Sequence, residues 1–128
     1  MKRNTIQRKS FEFSLLTIEL YKKLLDEKEF ILSKQLLRSG ASIGANIEEA
    51  TAAQSRKDFL SKVAIASKEA RETKYWLRLL NESSLVTLNL RIEPEKIEEL
   101  IKILTSIVKT TSQSLKRAIK NSKLKTPN

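Results

Sequence analysis

Apolar residues recur at intervals of three and four along almost the whole chain, and that period leaves few folds open. In residues 10–27, Phe13, Leu16, Leu20 and Leu24 keep it, with Ser10 placed to act as an N-cap. The charged run "DEKE" at 26–29 interrupts the pattern. A second stripe over 30–53 holds Leu32, Leu36, Gly40, Ile43, Ile47 and Ala50. "SRKD" at 55–58 has capping-box spacing, Ser55 as cap and Asp58 reaching back, and opens a third helix over 55–81. Its inner line is Phe59, Val63, Ala66, Ala70, Thr73, Leu77 and Leu80. Pro94 suits the first turn of a fourth helix, 94–121, where its missing N–H costs nothing. That helix turns Ile97, Leu104, Val108 and Leu115 inward, with Ile101 and Ile119 beside them. The segment "LVTLNLRIE" between the last two helices is β-branched enough for a strand. A lone strand has no partner, so it reads as a loop over the bundle end. The basic termini are expected to be flexible, and the tail "KNSKLKTPN" to fray. The pattern predicts one all-α domain over 1–128, an up-down-up-down antiparallel four-helix bundle.

Composition removes several functions. The chain has no cysteine and no histidine, so thiol chemistry, the commonest general base and the commonest metal ligand are all missing. Hydrophobic residues make up 40% and charged residues 31%, which suits one packed core. The start "MKRNTIQRKSFEFSLL" is basic, with no long apolar run and no small-residue cleavage site, and no stretch approaches a membrane span. A cytoplasmic protein without catalytic residues, metal or cofactor is expected.

Both glycines of the chain, Gly40 and Gly44, lie in "LLRSGASIGANIEEA". A phosphate-binding loop needs Lys-Ser/Thr after the second glycine, and here Ala45 follows within a helix. A membrane helix contact needs an apolar 20-mer, which Arg38, Glu48 and Glu49 forbid. Close packing remains, within the bundle or between subunits. Beside the glycines runs a polar line, Ser39, Ser42, Asn46 and Glu49, and the third helix carries Ile65, Glu69, Glu72 and Trp76. Di-metal carboxylate bundles use Glu-x-x-His pairs, so without histidine these lines read as a hydrogen-bonded network, with Arg38 or Lys62 offsetting the acids.

The motif Arg38-Ser39-x-x-Ser42-Ile43-x-x-Asn46-Ile47-x-Glu49, followed by Asp58, Phe59, Ala66, Glu69, Glu72 and Trp76, resembles the bacterial proteins encoded in intervening sequences of 23S ribosomal RNA genes. The resemblance covers roughly residues 8–120. It implies a small bundle assembled as a ring-shaped pentamer, without established enzymatic activity; by the packing and network readings above, Arg38, Gly40, Gly44, Asn46, Glu49, Glu69, Glu72 and Trp76 are expected to serve structure or an interface. The sequence is also similar to the accessory variability determinant of diversity-generating retroelements, a basic pentameric bundle that binds a reverse transcriptase and nucleic acid.

The net charge of +10 is confined to the chain ends: +4 over 1–10, +7 over 102–128 and −1 between. In an up-down-up-down bundle the first residues, the 56–57 joint and the last helix share one end. Arg3, Arg8, Lys9, Arg56, Lys57, Lys109, Lys116, Arg117, Lys120 and Lys123 thereby form a candidate nucleic-acid surface. The segments 26–29 and 82–95 give the opposite end a balance of −4. No aromatic platform or RNA-recognition motif is visible, so binding without sequence preference, to structured RNA first, is expected. The other expectation is a protein-interaction adaptor or accessory factor with no direct nucleic-acid binding, its basic tails serving solubility.

Overall fold

The computed structural model describes residues 2–125, with side chains over 5–124. Four helices run α1 (Lys2–Asp26), α2 (Leu32–Thr51), α3 (Arg56–Glu82) and α4 (Ile92–Lys125). Each packs on two neighbours, α1 on α2, α2 on α3, α3 on α4 and α4 back on α1, so the arrangement is a closed four-helix bundle. The closing α1–α4 seam is the thinnest. Among the described residues no helix is long and apolar enough to cross a membrane.

The core follows the period-3.6 stripes. Phe13, Leu20, Leu24, Leu36, Ile43, Ile47, Val63, Ala66, Ala70, Leu77, Leu80, Ile97, Ile101 and Leu104 are all buried. The segment between α3 and α4 forms no strand. It lies over the bundle end, burying Val86 and Leu90, while Asn81 exchanges side-chain hydrogen bonds with the backbone of Leu90 at 2.9 Å each way.

Helix 1 begins at Lys2, two turns before the predicted start, and Ser10 is no cap. Ser10 is buried inside the helix, its hydroxyl donating to Gln7 O at 3.1 Å, and Ile6 extends the core stripe further toward the N-terminus. Helix 4 likewise starts before Pro94, which still lies in the first turn, and stays helical to Lys125. Leu115, expected inward, and Ile119, expected beside the inward stripe, lie where α4 outruns the bundle; Leu115 is half-buried and Ile119 exposed.

The α1–α2 turn has its own device. Lys28 adopts φ 63°, its amide bonds Leu25 O at 2.9 Å, and the Glu29 amide bonds Leu24 O at 2.9 Å. That is a Schellman closure of α1 with lysine where glycine is usual. The Glu29 carboxylate, itself buried, then accepts from the amides of Ile31, Leu32 and Ser33 at 3.2, 3.1 and 2.6 Å, capping α2. At α3, Ser55 accepts from the Asp58 amide at 3.0 Å, the predicted half of the capping box.

Candidate nucleic-acid interface

Antiparallel pairing of α3 and α4 fixes where the basic residues go. Arg56, the first residue of α3, donates through its guanidinium to Ser114 Oγ at 2.7 Å. Everything after Ser114 therefore runs past the start of α3: residues 115–125 extend α4 by about 16 Å. Lys116, Arg117, Lys120 and Lys123 are all exposed on this overhang. Lys109 precedes it by two turns in line with Lys116, and Lys57 is exposed beside Arg56. The overhang and the joint thus form one cationic end.

The first helix contributes less than its charge count suggests. Lys9 is drawn into the α1–α4 seam, 3.0 Å from Glu99, and Arg8 pairs with Glu12 at 3.0 Å. The Lys9 hydrogen bond holds the Glu99 carboxyl below the ordinary carboxylate value, against the opposing effect of desolvation. The Arg3 side chain lies outside the described residues. At the opposite end, acids are engaged in structure: Glu29 caps α2, and Glu27 accepts from the Thr87 amide at 2.7 Å and hydroxyl at 2.8 Å.

The polar lines of α2 and α3 meet on the outer side of the bundle. The Arg38 guanidinium bridges Glu69, at 3.3 Å, and Glu72. Ser42 donates to Glu69 at 3.0 Å, and Trp76 Nε1 to Glu72 at 3.0 Å. Lys62 pairs with Glu49 at 3.0 Å, and that hydrogen bond raises the Lys62 ammonium above its ordinary value. Asn46 donates back to Ser42 O in its own helix, at 2.8 Å. Behind this face, Thr73 Oγ1 donates to Ser39 Oγ at 2.9 Å, both buried. Glu49, Glu69 and Glu72 each have a cationic partner, which makes the cluster a clamp between helices. Among the described residues no group of three or more His, Cys, Asp or Glu is placed to hold a metal ion.

Gly40 and Gly44 face α1, within the bundle, opposite Ser10, Ser14 and Thr17. The hydroxyls of Ser14 and Thr17 bond carbonyls of their own helix, at 3.1 Å and 2.8 Å, so two small-residue surfaces approach closely without orphaned polar atoms there. Sequence reasoning missed a second apolar line on α1. Phe11, Leu15 and Ile18 stand 62%, 50% and 40% exposed, at the same three-and-four spacing that marked the core. The signal was present, overshadowed by the stronger Phe13 stripe.

The model of the 23S rRNA-intervening sequence protein family matches residues 2–113. It stops one residue short of Ser114, so the overhang and its charge of +5 lie outside the matched span. A solved structure of similar fold is a protein of unknown function from the S23 ribosomal protein family of Bacteroides thetaiotaomicron. It is 49% identical, covers 85% of this chain and 99% of its own, and superposes with a TM-score of 0.79. No curated protein matches the chain. On the span of the family match and the identity of that structure, the chain belongs to the 23S rRNA-intervening sequence protein family.

Proposed function

We propose that this protein is a non-enzymatic, homo-oligomeric bundle of the cytoplasm that binds nucleic acid, structured RNA foremost, through its basic end and without sequence preference. The observation that carries the reading is the Arg56–Ser114 contact, which sets the 56–57 joint beside an overhang whose exposed charges are all positive. Lysines and arginines on a projecting helix suit phosphate contacts, which give affinity but little base information. Assembly with further copies is supported by the exposed Phe11, Leu15 and Ile18, three successive turns of apolar surface that a monomer leaves in water. The family resemblance suggests a pentameric ring.

Fluorescence anisotropy tests the binding, with a structured RNA and a single-stranded DNA at about 50 and 200 mM salt, and with a variant lacking residues 116–128. Tight binding at the lower salt is expected, falling steeply with salt. In the truncated variant the slope of log K on log salt should shrink by about 0.7–0.9 for each phosphate that the overhang neutralises. Absence of binding at the lower salt, or an unchanged slope after truncation, would leave the adaptor reading in its place.

A further inference from the structure

Where α2 ends and α3 begins, the bundle is not filled. A cavity of about 200 Å³ lies between the four helices at the basic end. Its deepest walls, Ile6, Ile47, Ala50 and Val63, are buried core residues, and Phe59 and Ile107 complete an almost wholly apolar lining. A small side chain leaves the space open: Ala50 lines the cavity where a leucine would reach into it. The cavity shares Ala50, Thr51, Phe59, Thr110 and Thr111 with a wider vestibule of about 490 Å³, whose further lining includes Ser55, Arg56 and Ser114. The chemistry changes with depth: hydrocarbon at the bottom, then threonine and serine hydroxyls, then a guanidinium.

We propose that this end is a binding site for a medium-chain alkyl carboxylate, its tail in the cavity and its carboxylate at Arg56. Size sets the tail. A dry apolar cavity of about 150 Å³ takes a benzene ring, so the space here suits a chain of about eight carbons. Charge sets the head group. Among the described residues Arg56 is the one charged residue that lines the vestibule, with the hydroxyls of Thr51, Thr110, Thr111 and Ser114 around it. Asp58, the acid in the first turn of α3, does not line it. A nucleobase fits less well, because the hydrocarbon walls offer its polar edge no partners.

The test uses the full-length protein and isothermal titration with octanoate, and with butyrate, octanol and octyltrimethylammonium for comparison. Octanoate is expected to bind. Each methylene contributes about fourfold, so butyrate should be weaker by about two orders of magnitude. Arg56→Gln should weaken octanoate by about tenfold or more while leaving octanol unchanged. Ala50→Leu, which fills the floor, should abolish binding; Thr111→Leu, nearer the rim, does the same should the first variant misfold. No heat with octanoate would overturn the proposal, as would equal binding of the trimethylammonium compound or of butyrate. Displacement of octanoate by equimolar uridine monophosphate would overturn it in favour of a nucleotide site. None of these readouts depends on RNA binding, so the proposal stands or falls separately from the nucleic-acid reading.

Discussion

A methyl group added at Gly40 would lie 2.7 Å from Thr17 Oγ1 and 2.8 Å from its Cγ2, whereas one at Gly44 would meet Ser14 Oγ at 3.2 Å. The two positions share a seam but differ in what a neighbour can yield. Thr17 is buried, branched at Cβ and bonded to Phe13 O, so it has nowhere to turn. Ser14 is half-buried and unbranched, and its hydroxyl, bonded to Ser10 O at 3.1 Å, needs to give by only a few tenths of an ångström. Gly40→Ala is therefore expected to destabilise by about 1–3 kcal/mol through overpacking, despite roughly 1 kcal/mol gained in helix propensity. Gly44→Ala should be near neutral. Thr17→Ala in the Gly40→Ala background should restore part of the stability, since it removes Oγ1 and Cγ2 and leaves only the residue-17 Cβ, 3.3 Å away, to give way. Urea melts of the parent, the two single variants and the double variant close the cycle. Additive destabilisation in the double variant would show that the seam is not what makes Gly40 necessary.

At the level of elements, the helices were legible, while the start of α1 and the way the α1–α2 turn closes were not. Apolar period alone marks α2 and α3, and Ser55 does cap α3 as its spacing announces. Ser10 carries the same local signal, but α1 continues through it because Ile6 offers another turn of core and the Ser10 carbonyl lies against Gly44. Local cap chemistry lost to tertiary packing. The charged run at 26–29 did mark the α1–α2 turn, but not how it closes: its left-handed residue is Lys28, and no glycine signals that conformation. That turn yields two opposed expectations. Lys28→Gly should stabilise by about 1 kcal/mol, because glycine takes φ 63° without a Cβ penalty. Glu29→Ala should destabilise by about 1–2 kcal/mol, because three amides at the start of α2 lose their acceptor. Thermal melts would read these as shifts of about 3–8 °C in opposite directions. A drop in Tm for Lys28→Gly would mean that the lysine side chain contributes more than its backbone costs. The end cavity was not legible, since Ala50 reads as one more member of the α2 core stripe until the residues facing it are placed.

Across the whole molecule, two ion pairs tie adjacent residues of α4 to its opposite neighbours around the apolar core. Glu99 reaches Lys9 on α1, across the thinnest seam, and Glu98 reaches Lys74 on α3 at 2.5 Å. A hydrogen bond from each lysine holds its glutamate below the ordinary carboxylate value, desolvation opposing in both cases. A carboxylate depressed in the folded state adds stability that is complete above its unfolded pKa, about 4.3, and is lost as pH falls through the folded value. Both pairs are partly open to solvent, so their contribution is small and screened by salt. The difference between two proteins isolates it. Glu98→Gln/Glu99→Gln is expected to melt slightly below the parent at neutral pH, and the gap should close as pH falls below the lowered folded values, where the parent's glutamates are protonated too. The variant's acid limb is thus the shallower. Added salt should narrow the neutral-pH gap. Curves that stay parallel from neutral to acid pH would show that the glutamine side chains perturb packing, and that the two pairs do not hold α4 in place by charge.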